Sequence, residues 1–273
     1  MEKIRRNERM SAMMKILSDA PNRIFTLSYF CELFGTAKST MSEDIDILRE
    51  VVREFGLGEL ETVTGAAGGV RYRATISREA ARTYIADLSE QLSGTSRVLP
   101  GGFLYSSDIL SSPETVRRMG EIIATEYYGA APDFVLTMET KGIPVAMYTA
   151  NALGVPLVIA RRSSKVYEGS AVNINYVTGS AGHIETMSLS RRAVKEGQRT
   201  LIVDDFLKAG GTANGMVELM REFNVEVVGM AFVMETATPA KKRISGHKSL
   251  MVLDITGDEQ QTAVIRPADW LMN

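Results

Sequence analysis

The chain is poor in the residues that staple or metallate a fold. It has one cysteine, Cys31, in 273 residues. A single cysteine makes no internal disulfide and excludes cysteine-rich zinc sites. The two histidines, His183 and His247, are isolated in the sequence and read as core or surface residues, not catalytic ones. No stretch approaches the ~20 consecutive apolar residues that cross a bilayer. The opening MEKIRRNERM is charged and lacks a following apolar run of signal-peptide length, so a cytoplasmic protein is expected. Charge of one sign is also missing: the formal net charge is −2. Any nucleic-acid surface must therefore be local.

What is present is ordinary for a folded chain of two domains: 45% hydrophobic and 23% charged residues, with 15 methionines suited to filling core gaps. Met10, Met13, Met14 and Leu17 recur at helical spacing until Asp19, Pro21 and Asn22 break the pattern. Thr26 is placed to cap a short second helix, SYFCEL, and Phe34-Gly35 reads as a tight turn. A third helix from about Ala37 carries Met41, Ile45 and Leu48 on one face. Residues 58–64 and 70–74 read as strands joined through GAAGG. This order is that of a winged helix-turn-helix. A helix over 77–93, with Ala80, Tyr84, Leu88 and Leu92 as its apolar face, is expected to connect or dimerise.

From about residue 100 the period changes. Apolar runs at 133–138, 156–160, 200–205, 225–235 and 249–255 alternate with helical patterns, the sign of a parallel α/β sheet. Strands at 172–177 and 183–189 look like a hairpin projecting from it. The expected organisation is a DNA-binding winged helix over 1–75, a connecting helix and linker over 76–100, and a parallel-sheet domain over 101–273.

The most specific feature is LIVDDFLKAGGT, residues 201–212. A buried strand delivers Asp204 and Asp205. The spacer Phe206-Leu207-Lys208-Ala209 leads to Gly210 and Gly211, and Thr212 opens a helix. Carboxylates accept hydrogen bonds from vicinal sugar hydroxyls. A phosphate accepts from backbone N–H groups and a hydroxyl at a helix N-terminus, and glycines allow close approach. The pattern therefore suits a phosphorylated sugar. A second strand-to-helix loop, TMETKGIP, offers Thr140, Lys141 and Gly142. Arg161, Arg162 and Lys165 follow the next strand, and Ser180 lies in the hairpin tip.

At these residues the chain resembles the type I phosphoribosyltransferases, whose ligand is phosphoribosyl pyrophosphate, usually with magnesium. The resemblance implies that the 140–142 loop holds the pyrophosphate and that the region of Arg161, Lys165 and Ser180 forms a mobile loop closing over it. Two positions depart from the enzyme pattern. Phe206 puts a ring near the path of a base or leaving group, and Lys208 adds a cation beside the phosphate. Both favour holding a polyanion, and binding alone does not accelerate chemistry.

Over essentially its full length the chain is similar to the purine operon repressor family of Gram-positive bacteria. AKSTMSEDI, GAAGGVRY, VLPGGFLYSSDIL, TKGIP, VNINYVTGSAGHIETMSLSRR and DDFLKAGGT carry the likeness. The family implies a homodimer that binds purine-gene operators, senses phosphoribosyl pyrophosphate and has no transferase activity, with no cofactor required. It also places Phe103 and Tyr105 at the pocket. Two rival readings stay open: an active purine phosphoribosyltransferase with an accessory domain, and a sensor of another phosphorylated nucleotide such as an alarmone.

For DNA, the third helix is the expected reader. Lys38, Ser39, Thr40 and Ser42 lie near its N-terminus, where a major-groove helix meets bases and phosphates. Downstream, Glu43, Asp44 and Asp46 turn it acidic. Lys3, Arg5, Arg6 and Arg9 flank the first helix, and Arg71 and Arg73 sit on the second wing strand. Together they are expected to clamp the backbone. Residues 1–75 carry 11 basic and 11 acidic residues, but residues 1–40 carry 7 and 4, so the positive charge is segregated towards the front.

Overall fold

The structure, a computed structural model, describes residues 4–65, 68–100, 103–163, 169–178, 182–257 and 261–272. Contacts divide the chain into two compact units. Residues up to Ser77 with Asn151–Gly154 form the first, and Arg78–Ala150 with Val155 onward form the second.

The first unit contains helices α1 (Arg6–Asp19), α2 (Leu27–Phe34) and α3 (Lys38–Glu54), then the antiparallel strands β1 (Glu59–Val63) and β2 (Gly69–Arg73). Local chemistry sets the boundaries. Thr26 Oγ1 accepts the Tyr29 N–H at 3.1 Å and starts α2. Gly35, at φ 60°, ends α2 and returns its N–H to the Cys31 carbonyl. Met13, Leu17, Phe30, Phe34, Met41, Ile45, Leu48 and Val52 meet in one core, closed by Leu60 and Val70 of the strands. Phe25 bridges to Val70 and adds a third strand position to the wing. That approach requires Gly69, where a Cβ would stand 2.1 Å from the Phe25 carbonyl oxygen. Helix, helix, turn, helix and hairpin thus form the winged helix-turn-helix.

The second unit opens with α4 (Arg78–Leu92), β3 (Val98–Leu99), β4 (Phe103–Leu104), α5 (Ser107–Leu110) and α6 (Pro113–Tyr127). There follow β5 (Phe134–Met138), α7 (Ile143–Leu153), β6 (Leu157–Ala160), β7 (Ala171–Thr178), β8 (His183–Ser190) and β9 (Arg199–Leu207). The remaining elements are α8 (Gly211–Glu222), β10 (Glu226–Thr236), β11 (Lys248–Thr256), β12 (Thr262–Pro267) and α9 (Asp269–Met272). The main sheet has the order β12-β11-β10-β9-β5-β6, with β12 antiparallel and the rest parallel. Every residue of β5 is buried, because both sheet faces are covered. On one face Leu136, Met138, Ile202 and Phe232 pack with Met216, Leu219 and Met220 of α8. Alternate residues point the other way. There Tyr127 of α6 lies over Gly229, where a Cβ would be 2.2 Å from its ring, and its hydroxyl donates to the Met230 carbonyl at 3.0 Å.

Two expectations change. Helix α4 buries Ala81, Ile85, Leu88 and Leu92 rather than the Ala80–Tyr84 stripe, and packs on β11 and β12 inside the second unit. The β7–β8 hairpin does not project. Its inward residues Val172, Tyr176, Met187 and Leu189 belong to the α8-side core, with Ile174 packed against them. Period-2 alternation supplies an apolar face that could not remain in water.

Candidate functional site

The sheet reverses direction of winding between β5 and β9. The chain leaves β5 through α7 to β6 on one side and leaves β9 through α8 to β10 on the other. The C-terminal ends of the two strands therefore open side by side at a topological switch point, where open α/β sheets bind ligands. The two loops singled out in the sequence are those two loops.

Asp204 and Asp205 lie within β9, which runs on to Leu207 before the turn. Asp204 is 8% exposed and accepts the Asp205 N–H at 3.0 Å. Its carboxylate sits over Gly142. A Cβ on that residue would be 1.9 Å from Asp204 Oδ1 and 2.7 Å from Thr137 Oγ1. Burial pushes the Asp204 carboxyl well above the usual carboxylate range, and the Asp205 charge adds to this. Asp205 is also raised by burial, with the exposed Lys141 ammonium pulling against it. Asp205 and Phe206 line a small open cleft with Leu92, Ser106, Ile109, Leu110, Val233 and Met234. Its walls are apolar apart from Ser106 and Asp205.

Beyond Leu207, Lys208 is exposed and the Ala209 carbonyl accepts the Arg243 N–H at 2.9 Å. Gly210 adopts φ 83°, a left-handed conformation at the N-cap of α8. The Asn214 N–H returns to the Gly210 carbonyl, so the first-turn N–H groups of Gly211, Thr212 and Ala213 precede the intrahelical ladder. Gly211 is needed because β7 crosses here: a Cβ would be 2.2 Å from the Val177 carbonyl oxygen. Thr140 and Lys141 are exposed on the neighbouring loop, ahead of α7.

A buried acid with a raised pKa has a stability consequence. The folded protein binds the Asp204 proton more tightly than the unfolded chain does. The stability this adds is complete below the unfolded pKa of about 4 and is lost as the pH rises through the raised value. Asp204→Asn, which keeps an acceptor for the Asp205 N–H, is therefore expected to melt at a higher temperature than the native chain at pH 7.5. The gap should close towards pH 4. Thermal denaturation at several pH values checks this, and a variant less stable at pH 7.5 than at pH 4.5, relative to native, contradicts it.

Other expected ligand groups are placed differently. Arg161 Nη1 lies 3.5 Å from Glu139 Oε2, so its guanidinium already has a carboxylate beside it. Phe103 is 69% exposed on β4, and Tyr105 donates its N–H to the Arg97 carbonyl at 2.8 Å with Arg97 near its ring. The cleft takes its lining from Ser106, Ile109 and Leu110, not from Phe103 or Tyr105. Lys165 and Ser180 lie outside the described residues.

On the first unit, Lys38, Ser39 and Ser42 are exposed on the first turns of α3, with Thr40 half-buried and Arg5 exposed at the start of α1. Arg6, Arg9, Arg71 and Arg73 of the expected clamp are ion-paired, and of these only Arg9 is buried. Arg6 Nε donates to Asp44 Oδ1 at 2.7 Å, and Arg9 donates through Nε and Nη2 to Asp44 Oδ2 at 3.0 and 2.8 Å. Arg9 is 7% exposed and Asp44 fully buried. Asp44 thus belongs to the core-facing side of α3 with Met41, Ile45 and Leu48, not to an acidic outer face. Arg71 and Arg73 both lie 2.9 Å from Glu61 Oε2, because the wing register sets Glu61 opposite Arg71. Each of these arginines thus has a carboxylate partner within its own unit. Lys3 lies outside the described residues.

Fold and site together define a winged helix joined to a phosphoribosyltransferase-type domain. The profile of the bacterial purine repressor N-terminal domain matches residues 5–74, and that of the phosphoribosyl transferase domain matches residues 106–265. The chain belongs to the bacterial purine repressor family. It is 44% identical to the probable purine biosynthesis transcriptional regulator PurR of Streptococcus pneumoniae, over 91% of each chain. It is 39% identical to the purine biosynthesis transcriptional repressor PurR of Bacillus subtilis, over 98% of this chain and 94% of that one. It is 40% identical to the purine biosynthesis transcriptional activator PurR of Lactococcus lactis, over 92% and 93%. Among the described residues no helix is long and apolar enough to cross a membrane.

Proposed function

We propose that this protein regulates purine biosynthesis genes by binding operator DNA through α3 and by sensing phosphoribosyl pyrophosphate at the β5–β9 switch point. One observation carries the effector reading: paired carboxylates, a left-handed glycine and open helix N–H groups follow one another along 204–212, beside the 139–142 loop. Asp204 and Asp205 take the ribose hydroxyls. The first turn of α8 and Thr212 take the 5′-phosphate, and Lys141 faces the pyrophosphate. Where a magnesium ion accompanies the effector, Asp205, whose carboxylate feels the Lys141 charge, would be a candidate to hold it, and the ion would supply charge neutralisation for the pyrophosphate. Among the described residues no three His, Cys, Asp or Glu side chains cluster to hold a metal alone.

The domain acts as a sensor rather than a transferase. Phe206 is part of the cleft wall where a base would have to enter, and the full-length relatives are named as regulators. The protein works as a cytoplasmic homodimer that sets two α3 helices on two half-sites. Relatives named repressor and activator each match more than nine-tenths of this chain, so the fold by itself does not fix the sign of control.

Effector can change operator affinity only by binding two states of the protein unequally. Fluorescence anisotropy with a purine-gene operator, measured against rising phosphoribosyl pyrophosphate, is expected to show a shift in affinity; an unchanged curve refutes ligand control. In the same assay Lys38→Ala is expected to weaken operator binding and to reduce the slope against log salt by about one. Its effector affinity should stay native. A Lys38→Ala variant with native operator affinity removes α3 as the DNA-reading element.

A further inference from the structure

The arginines at the end of β6 are paired with carboxylates from two other elements. Glu139, immediately after β5, accepts the Arg162 N–H through Oε1 at 2.7 Å and places Oε2 3.5 Å from Arg161 Nη1. Glu185 of β8 lies 3.6 Å from Arg162 Nη1 through Oε2, and the same oxygen accepts the Tyr176 hydroxyl at 2.9 Å. Tyr176 is buried and also interacts with Thr212 at the start of α8. A polar chain thus runs from Thr212 through Tyr176, Glu185 and Arg162 to Glu139. It joins the phosphate turn to the loop that begins at Thr140.

Two carboxylates beside a site for a polyanion oppose the charge that site attracts. They would be a liability if the only requirement were tight binding. Their partners are the two cations that follow β6 beside the Thr140–Gly142 loop, and Glu139 is the more buried of the two acids.

We propose that Glu139 and Glu185 are built-in competitors of the effector: a pyrophosphoryl group must displace them to reach Arg161 and Arg162. This rests on the effector reading above. The exchange does two things. It sets the affinity lower than the cations alone would give, which suits a sensor working near the prevailing effector concentration. It also breaks the Arg162–Glu185 tie, so that the β7–β8 hairpin is held differently once the anion is seated. Glu139 and Glu185 act through the arginines and are positioning residues.

Glutamine variants isolate the charge. Glu139→Gln and Glu185→Gln each keep a side-chain oxygen, the first to accept the Arg162 N–H and the second to accept the Tyr176 hydroxyl. Calorimetric titration of the full chain with phosphoribosyl pyrophosphate, and separately with inorganic pyrophosphate, is the test. At low salt each variant is expected to bind both ligands about two- to fivefold more tightly than native, with a larger gain in the double variant. At 0.5 M salt the gain should shrink, since the charges are partly exposed. A purely structural role would instead weaken binding or leave the salt dependence native. Binding by the native chain, with equal or weaker binding by both variants, overturns the proposal while leaving the effector reading intact. No binding of phosphoribosyl pyrophosphate by the native chain overturns the effector reading, and this proposal with it.

Discussion

Gly142→Ala is expected to reduce phosphoribosyl pyrophosphate affinity by about 100-fold or more while leaving operator binding possible. The added methyl would lie 1.9 Å from Asp204 Oδ1 and 2.7 Å from Thr137 Oγ1. Both neighbours are constrained. Asp204 is fixed in a buried strand of the central sheet, and Thr137 is fully buried in β5. The loop must therefore move, carrying Thr140 and Lys141 with it, or the carboxylate must turn away from the sugar. Relieving overlaps of this size by shifting side chain and backbone costs about 1–3 kcal/mol, a range in which about 2.7 kcal/mol corresponds to 100-fold in affinity. Calorimetry gives the effector affinity and anisotropy gives the operator affinity of the same preparation. A Gly142→Ala variant with native effector binding would mean that the two loops do not share a ligand.

The second large effect concerns the first unit. Asp44→Ala removes the common partner of Arg9 and Arg6. Arg9 is buried with it, so its guanidinium is left without its carboxylate inside the core. Breaking a buried pair by deleting one partner costs about 3–5 kcal/mol, a large part of what a unit of this size has available. Operator binding should fall below detection at 25 °C, and an early thermal transition should appear by circular dichroism. The second unit, with its own core, should still bind effector. If Asp44→Ala melts like the native chain, the Arg9–Asp44 pair contributes nothing to holding α1 against α3.

These two sites also mark what the sequence makes legible and what it hides. The β9–α8 turn is readable because its chemistry is contiguous: a buried strand, two acids, two glycines and a threonine follow one another in LIVDDFLKAGGT. The winged helix is readable from spacing, since Met13, Leu17, Met41, Ile45 and Leu48 repeat at helical intervals and are the residues that meet in the core. Charge pairing across the fold is not readable. Asp44 looks like one of three acids on a polar face until α1 is packed beside it, and Glu61 meets Arg71 only through the wing register. One signal is available for Asp44. It falls three residues after Met41 and four before Leu48, on the stripe that faces inward.

The hairpin shows the same limit in another form. Its alternation is visible, but alternation does not say which surface the apolar side covers; Gly211 and Gly215 of α8 provide that surface by letting Val177 and Tyr176 approach closely. Helix α6 is legible by helical spacing, since Val116, Met119, Ile122 and Ile123 recur on one face behind the Ser112 cap and Pro113, whereas the antiparallel edge strand β12 is harder to see. In β12 only alternate residues are buried, as an edge position demands. Arg161 stands out as a ligand arginine by its charge, and charge in sequence carries no record of the Glu139 that holds it.

The most direct measurement is a crystal structure of the full chain grown with phosphoribosyl pyrophosphate. Ribose hydroxyls are expected on the carboxylates of Asp204 and Asp205, the 5′-phosphate on the N–H groups of Gly211 and Thr212, and the diphosphate beside Lys141. Density for the ligand at any other place on the chain, with this switch point unchanged, would contradict the assignment.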